Sequence, residues 1–557
     1  MLWFLFFITP FFTTIILDYW VATDLLALGT ALLAGAWMQY ITPPEKNPNS
    51  WILLVLFFIP IFIHLVIQDT PNPWGLVKYS IYITAIFLIF RMSQASSHEW
   101  IQSTSWLALL AITGNVYALT GVMNNFNIFP EDQASLFALW SFFPDFAGPL
   151  LQRNLATLFL LIVVISLWVK SIRDAWDKRW LVASVLPCAI ILISNSRSAM
   201  LFLILLVIVL FVLHPKKKSC LLHLSAVLSV SLLIAFQWHE VLQSMQQSVT
   251  LLGSRLTETG VSARLNIWYS SWLMFMDHPW IGVGSGNLGS YFADYQGQSL
   301  ALHPEWIEMD TMTPWSHNIM LQHLAEAGLL GGAFIFLLIG IIVRRIYHIL
   351  KTPNPIQHPS FSAVLIVSLL LLHGLISISL LQGFFLALFG LYLAALFPCS
   401  VETRSSPQTI TSALYVLPAF YLLLIAYQYI HTQANIRAVF DDNPDSSRFI
   451  AAVAPAIDNP WQARVGLAYL FVNMDLTHAP AHQWVNLYPY LYEYWLLCQE
   501  PWGLKRLILQ AHLADNSLSE IHLAKQYRKK FPKNVWNKQL LHHIQVGHQK
   551  HEALEME

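Results

Sequence analysis

The sequence predicts an all-α, polytopic membrane protein with about thirteen transmembrane helices, a long outer loop and a helical C-terminal domain. Three observations lead to this prediction. The 557-residue chain is 56% hydrophobic and only 11% charged, which is too apolar for a soluble protein. Many apolar stretches reach about 17–25 residues, which is long enough for a helix to cross the hydrocarbon core of a bilayer. After residue 430 these stretches end, and apolar residues recur at helical spacing in shorter segments.

The candidate spans follow one another with short connections for most of the chain. They are residues 1–17, 22–39, 51–67, 75–92, 104–122, 155–169, 179–194, 198–213, 220–236, 328–348, 361–378, 381–398 and 410–430. The first span has no basic n-region and no small-residue cleavage site. We therefore expect it to be retained as a transmembrane helix rather than removed as a signal peptide.

Basic residues in the connections set the predicted orientation, because lysine and arginine accumulate on the cytoplasmic side of a membrane. With a cytoplasmic N-terminus, the short outer connections hold only Lys78, Arg153 and Arg197. The inner connections hold Lys46, Arg91, Lys170, Arg173, Lys178, Arg179, Lys216, Lys217, Lys218, Arg344, Arg345, Lys351 and Arg404. An odd number of spans then places the C-terminal domain on the outer side.

The spans and connections divide the chain into four predicted parts. Residues 1–236 form transmembrane helices 1–9, and residues 237–327 form the long outer loop. Residues 328–430 form transmembrane helices 10–13, and residues 431–557 form a soluble helical domain. A connection as long as 237–327 is a candidate functional element, because most connections are far shorter.

Charge and cysteine content exclude several functions. The formal net charge is −1, so no basic surface for nucleic acid is predicted. The four cysteines, Cys188, Cys220, Cys399 and Cys498, have neither disulfide-framework nor zinc-site spacing. We therefore expect the protein to use no metal and no cofactor.

Arginines mark two outer segments. The stretch NSRSAM places Arg197 at the outer end of a span, and SARLNIWYSSW places Arg264 at the start of a helical segment in the long loop. An arginine at a membrane surface either positions its helix by snorkelling or offers paired donors to phosphate oxygens. Both interpretations remain open from these motifs alone.

A glycine-rich stretch, GVGSGN, follows the Arg264 segment at residues 282–287. It is not a dinucleotide-binding fingerprint, because no strand precedes it and no βαβ unit surrounds it. We interpret it as a flexible turn. The nearby stretch EWIEMD, residues 305–310, offers paired carboxylates of the kind that can catalyse glycoside chemistry. A solvated loop face is the simpler interpretation of these acids.

The stretch SHNIMLQHLAEAGLLGG places polar groups where a span meets the outer surface. His317 is either a hydrogen-bonded structural residue or a base, since histidine suits proton transfer near neutral pH. Glu326 either orients a neighbouring side chain or caps a helix. The residues alone do not separate these alternatives.

The order of these motifs resembles that of the bacterial O-antigen ligase superfamily. GPLLQRNLATLF (148–159) ends an outer loop and NSRSAM (195–200) ends a span. HPWIGVGSGNLGSYF (278–292) and SHNIMLQHLAEAGLLGG (316–332) lie in the long loop, and LLHGLISI (371–378) lies in a later span. The polar C-terminal domain, with WQARVGLAYLF, is most similar to the protein O-oligosaccharyltransferase branch, which includes the pilin-glycosylating ligases.

The resemblance covers roughly residues 110–400 and implies roles for particular residues. His317 matches the base or acceptor-positioning group, and Arg197 and Arg264 match arginines that bind a diphosphate. Asn154 matches an asparagine at the end of the outer loop.

Two further residues, Asn318 and Glu326, are expected to bind substrate beside His317. The chain departs from the protein-directed pattern after His373. Ser377, Ile378 and Ser379 stand there in place of an acidic residue, tyrosine and proline.

The resemblance implies that an undecaprenyl-diphosphate-linked glycan is the donor and a periplasmic, pilin-like protein is the acceptor. The outer side is then the periplasm, and the chain lies in the bacterial inner membrane. Transfer of the sugar requires a group that accepts the hydroxyl proton and cations that stabilise the departing diphosphate. We expect a metal-independent displacement with inversion at the anomeric carbon.

Alternative functions stay open at this point. A ligase acting on lipid A-core and an O-antigen polymerase share this chemistry and differ in acceptor. A lipid-linked glycan transporter belongs to another class, as does a scaffold that binds through its helical tail. The sequence has no internal repeat, and its few ionisable residues cluster at the outer ends of spans, which favours surface chemistry over translocation.

Overall fold

The structure is a computed structural model in which part of the chain is described. The described residues are 5–7, 19–41, 73–94, 97–125, 153–194, 196–244, 259–309, 314–398, 416–431, 504, 507–508 and 517–533. Predictions that fall elsewhere, including most of the first span, the span at 51–67 and much of the C-terminal domain, lie outside these residues.

The described part of the chain is built from helices and turns and contains no strand, which confirms the all-α prediction there. The helices before the long loop are α1 Tyr19–Ile41, α2 Pro73–Ser93, α3 Ser97–Trp100, α4 Thr104–Asn125, α5 Arg153–Arg173, α6 Lys178–Ile193, α7 Arg197–Leu213 and α8 Lys217–Ser244. The later helices are α9 Thr259–Asp277, α10 Leu288–Leu302, α11 Ile319–Leu350, α12 Phe361–Gly374, α13 Gly383–Leu396, α14 Val416–His431 and α15 Ser517–Lys530.

Three of these helices are long and apolar enough to cross a membrane by length and composition: α5, α8 over Lys217–Gln237, and α11. Shorter apolar helices lie within α1, α2, α4, α7, α12, α13 and α14. These features support a multi-pass membrane protein, while the number of thirteen spans stays a prediction. Almost every residue of α5 is buried, whereas α8 exposes most of its apolar side chains, as expected of a helix that faces lipid.

Hydroxyl side chains inside the apolar helices bond to the backbone of the preceding turn. The Thr30 hydroxyl donates to the carbonyl of Leu26 at 2.7 Å, and the Ser166 hydroxyl donates to the carbonyl of Ile162 at 2.8 Å. A polar group without a partner is costly in hydrocarbon, so this local bond lets serine and threonine stand within the spans.

The chain forms two compact units. Among the described residues, the first unit contains α1, residues 82–93 of α2, the helices from α3 to α8, residues 337–350 of α11, α12, α13, and residues 416–430 of α14. The second unit contains residues 73–81 of α2, α9, α10, residues 319–336 of α11, and α15.

Helices α9 and α10 pack against each other in the second unit. Ile267 and Met274 of α9 pack with Leu288 and Phe292 of α10 in a buried apolar cluster. Ala325 of α11 joins this cluster. The predicted long loop is therefore a folded helical element that packs against the start of a membrane helix.

Helix α11 contains a break that corresponds to the predicted span boundary. Gly328 has φ 61° and ψ −157°, which interrupts the helical conformation between Ile319 and Leu350. The predicted span begins at residue 328, and the structure adds about two and a half turns of helix before it, over residues 319–327. The polar SHN step thus precedes this first helical segment of α11 rather than the predicted span itself.

Candidate active site

The six predicted site residues divide between the two units. Asn154 and Arg197 lie in the first unit, and the other four lie in the second. The second unit brings His317 within electrostatic reach of Arg264, and it places Asn318 and Glu326 on the same polypeptide segment as His317.

His317 has a left-handed backbone conformation, with φ 55°. This region is uncommon for a residue with a Cβ, and such residues cluster at functional sites. The Ser316 hydroxyl holds the turn, since it donates to the Asn318 carbonyl at 2.6 Å and accepts from the Asn318 amide at 3.2 Å. The side chain of His317 is partly buried.

Asn318 caps helix α11. Its side-chain oxygen accepts hydrogen bonds from the amides of Met320 at 3.0 Å and Leu321 at 3.2 Å. These amides would otherwise lack partners at the start of a helix, so asparagine is favoured at this position. Asn318 thereby fixes the backbone on the C-terminal side of His317. Its predicted contact with substrate stays a prediction.

Burial and a neighbouring charge both lower the pKa of His317. Burial is the larger cause, and the Arg264 guanidinium is the second; together they bring the pKa from 6.5 to about 4. The imidazole is therefore neutral across the physiological range, which is the form that can accept a proton.

Replacement of Arg264 by glutamine is expected to move the acid limb of the pH profile of kcat/KM. The active enzyme needs neutral His317, so activity is lost as pH falls through its pKa of about 4. Without the Arg264 charge, this pKa rises toward 6.5 and the acid limb moves upward with it. Arg264→Lys keeps the charge and should leave the limb in place. An unchanged limb in Arg264→Gln would contradict the coupling.

Glu326 is buried, with 2% of its surface exposed. Its carboxylate accepts from the Gln322 amide at 2.7 Å and from the backbone amide of Leu288 at 3.3 Å. Leu288 is the first residue of α10, so a negative charge there is also favoured by the helix dipole. Both open interpretations, orienting a neighbour and capping a helix, describe these contacts, and the burial disfavours direct contact with substrate.

Gln322 extends this network to the turn at His317. Its side-chain oxygen accepts from the Ser316 amide at 2.6 Å, and its side-chain nitrogen donates to the Pro314 carbonyl at 3.3 Å and to Glu326. This series of hydrogen bonds, from the start of α10 through Glu326 to Gln322, therefore holds the backbone on the N-terminal side of His317. The sequence analysis assigned no role to Ser316 or Gln322, although serine is one of the residue types that mark the start of a helix.

Replacement of Glu326 by alanine is expected to destabilise the fold by about 2–4 kcal/mol, because it leaves a buried amide and a buried helix start without their charged acceptor. Glu326→Gln keeps an acceptor oxygen and should lose less. Thermal unfolding of purified protein in detergent measures both. A normal melting temperature in Glu326→Ala with a raised KM would instead favour the predicted substrate contact.

The glycines of GVGSGN lie where the backbone of this loop crosses the backbone of α11 at close range, rather than in a flexible turn. Gly282, Gly284 and Gly286 all have positive φ, at 72°, 97° and 80°. The amides of Val283 and Gly284 donate to the carbonyls of Ala325 and Glu326 at 2.8 Å and 2.9 Å. The loop thus pairs by its backbone with the first segment of α11, residues 319–327.

The pairing continues on the other side of Gly328. The amides of Leu329 and Leu330 donate to the carbonyls of Pro279 and Trp280 at 2.8 Å and 3.2 Å. A methyl group at Gly328 would overlap with the backbone of Trp280, and one at Gly282 would overlap with the backbone of Glu326. The two sequence motifs are therefore one structural element, in which glycine permits the close approach.

In the first unit, Asn154 lies beside the start of α7. Its side-chain oxygen accepts from the Ser196 hydroxyl at 3.0 Å, and Ser196 caps α7 by accepting from the amide of Ala199. Arg197 is the first residue of α7 and its side chain is exposed. The structure therefore brings Asn154 and Arg197 together through Ser196.

His373 lies within hydrogen-bond distance of Ser379, six residues further along the chain. Its Nδ1 lies 3.0 Å from the Ser379 hydroxyl, and both residues are buried. Ser379 stands at one of the positions where the chain departs from the protein-directed pattern. The serine therefore has a structural contact in this chain.

Two acidic residues of EWIEMD, Glu305 and Glu308, contact other residues of the protein. Glu305 lies 3.3 Å from His303, and Glu308 accepts from the backbone amide of Lys533 at 2.6 Å. Asp310 lies outside the described residues. Within the described part of the chain, no group of three or more potential metal ligands comes together.

Comparison with known proteins gives one family match. A family model described as O-Antigen ligase matches residues 182–337. The matched range includes Arg197, Arg264 and His317, and it ends within α11. Comparison with curated proteins gives no match. The family match supports the O-antigen ligase superfamily and glycan transfer of the ligase or polymerase kind.

Proposed function

We propose that this protein transfers a glycan from an undecaprenyl-diphosphate carrier to a Ser or Thr hydroxyl of periplasmic proteins. The observation that carries the proposal is a histidine in a left-handed conformation, within electrostatic reach of an arginine, directly before an apolar helix. His317 can accept a proton there, and Arg264 can bind an anion. A lipid-linked donor would bring its diphosphate to this level of the membrane.

The reaction is a single displacement at the anomeric carbon. The acceptor oxygen forms a bond to this carbon while the bond to the diphosphate oxygen breaks. The hydroxyl proton passes to His317, and the bonding electrons leave with the diphosphate, whose charge Arg264 stabilises. The resemblance assigns the same stabilising role to Arg197. Attack opposite the leaving group inverts the anomeric configuration, so a product with retained configuration would contradict the mechanism.

The electrostatic coupling of Arg264 to His317 links donor binding to proton transfer. In the free protein the guanidinium charge helps to lower the pKa of His317, after the larger effect of burial. A diphosphate bound at Arg264 offsets this charge, so the pKa of His317 rises by the part that is due to Arg264. The imidazole thus becomes a stronger base when the donor is in place.

The acceptor class rests on the resemblance and on the polar C-terminal domain. A soluble domain of this size offers a surface for a folded protein acceptor. On this proposal, removal of residues 431–557 impairs protein glycosylation. A lipid A-core ligase or a polymerase would use the same His317 and Arg264 chemistry with another acceptor.

A transfer assay with purified protein in detergent tests the proposal. The protein receives an undecaprenyl-diphosphate glycan with either a Ser-containing pilin-type protein or lipid A-core, in the presence of EDTA. Glycan on the protein, lost in His317→Ala, supports the proposed function and its independence of metal. Glycan on lipid A-core alone would replace the acceptor, and loss of activity with EDTA would overturn metal independence. No transfer to either acceptor would favour the polymerase first and the transporter second.

A further inference from the structure

A segment of the predicted C-terminal domain packs against α10, the helix that follows the Arg264 helix α9. Helix α15 lies against α10 within the second unit. Tyr527 and Phe531 are buried, with ring centroids 5.3 Å apart. Since the two segments are far apart in sequence, this contact joins the tail to the long loop.

The docking of α15 on α10 has specific contacts. The Lys530 ammonium lies 2.6 Å from the Asp294 carboxylate, and Lys530 is buried. A methyl group at Gly297 would overlap with the carbonyl of Lys529, so the two backbones approach closely at this point. An ion pair with a buried lysine, beside a glycine contact, fixes the register of the two helices.

Lys533 extends the contact to the segment after α10. Its backbone amide donates to the Glu308 carboxylate at 2.6 Å, and its ammonium donates to the carbonyls of Pro304 and Trp306. One residue of the tail therefore holds three positions of the 304–308 segment.

The 304–309 segment in turn holds the start of α9. The amide of Ile307 donates to the Ser262 hydroxyl at 2.9 Å, and the Asn266 side chain donates to the Ile307 carbonyl at 2.9 Å. Ser262 and Asn266 flank Arg264 by two residues on either side. The position of Arg264 therefore depends on the 304–309 segment, which Lys533 of the tail holds by hydrogen bonds.

We propose that the C-terminal tail is a positioning element of the active site, in which Lys530 docks the tail on α10 and Lys533 holds the 304–309 segment against α9, and so keeps Arg264 beside His317. This inference rests on the proposed function and extends it. A tail that only docks a protein acceptor would matter for large acceptors alone. A positioning tail matters for every acceptor, because a small displacement of a catalytic group lowers the rate for all of them.

Charge reversal in the full-length chain tests the inference. Asp294→Lys and Lys530→Asp each place like charges opposite one another, and the double variant restores an opposite pair. Lys525→Asp is the matched control, since Lys525 is an exposed lysine on the same helix. Transfer is measured to a pilin-type protein and to a short Ser-containing peptide, across a range of pH.

Each single reversal is expected to lower kcat/KM by about 10-fold or more for both acceptors. It should also move the acid limb of the pH profile upward, because Arg264 no longer depresses the pKa of His317 fully. The double variant should recover most of both effects, and Lys525→Asp should show neither. Loss confined to the protein acceptor would overturn the positioning role in favour of a docking surface.

Hydrogen exchange provides a readout that needs no activity. Each single reversal should increase exchange at amides of residues 259–277 and 303–309, and the double variant should reverse the increase. An inactive wild-type protein would refute the proposed function, and the exchange pattern would still decide whether the tail holds α9. Unchanged exchange near Arg264 in both single variants would overturn the inference.

Discussion

His317→Ala is expected to lower the rate of glycan transfer by about 10²–10⁴-fold, which is the range that a positioned acid–base group contributes. The imidazole is the group beside Arg264 that is neutral at physiological pH and able to take the hydroxyl proton. Substrate binding should change little, since Arg264 remains in place to bind the diphosphate. Single-turnover transfer from the lipid-linked donor, compared with donor binding, measures the two effects separately.

A second substitution at His317 distinguishes the loss of catalytic activity from a loss of stability. His317 has φ 55°, a conformation that asparagine adopts more readily than alanine. His317→Asn should therefore be as inactive as His317→Ala but more stable. His278→Ala, on the same unit, is the matched control and should retain activity, because it keeps the two backbone hydrogen bonds of His278, from its amide to the Met274 carbonyl and from the Gly282 amide to its carbonyl. Substantial transfer by both His317 variants would reject the residue as a base.

Gly328→Ala is expected to prevent normal folding of the second unit. The residue has φ 61°, which disfavours any side chain, and a methyl group would overlap with the backbone of Trp280. Strain of this kind, added to the loss of the Leu329 and Leu330 backbone bonds, is expected to cost on the order of 3–5 kcal/mol. Gly282→Ala should behave similarly, because its methyl group would overlap with the backbone of Glu326.

A matched glycine in the same helix controls this result. Gly340 has ordinary helical geometry, and a methyl group there would meet nothing within 4 Å. Gly340→Ala should be neutral or should stabilise α11 by about 0.5–1 kcal/mol, since alanine loses less conformational entropy in a helix. Thermal unfolding and the monodisperse yield in detergent measure all three variants. Equal stability of Gly328→Ala and Gly340→Ala would contradict the close approach of the Gly328 and Trp280 backbones.

The helices were predictable because their cause is local. Apolar composition and length predicted spans at 155–169 and 361–378, and the structure has helices at Arg153–Arg173 and Phe361–Gly374. The ends differ by a few residues because capping, rather than hydropathy, decides where a helix starts. At α11, hydropathy marked the apolar segment, but the Asn318 cap places the helix start at Ile319.

The roles of polar residues were less predictable than their positions. Asn318 and Glu326 were selected as substrate-binding residues because they stand near a candidate base. In the structure, the Asn318 side chain accepts from the start of its own helix, and Glu326 accepts from an amide at the start of α10. The first contact could be inferred from sequence, since an asparagine before an apolar helix is typical of a cap. The second could not, because Leu288 and Glu326 are distant in sequence.

By itself, the sequence determined an apolar, helical chain and which residues could carry out proton transfer and anion binding. Hydrophobic length and residue chemistry are local properties, and they are readable without coordinates. Only the tertiary structure decided that GVGSGN pairs with the α11 segment at Gly328, that Arg264 acts on His317, and that Lys530 and Lys533 of the tail contact the long loop. These relations depend on which distant segments pack together, because backbone pairing, burial and electrostatic coupling arise from distances in space.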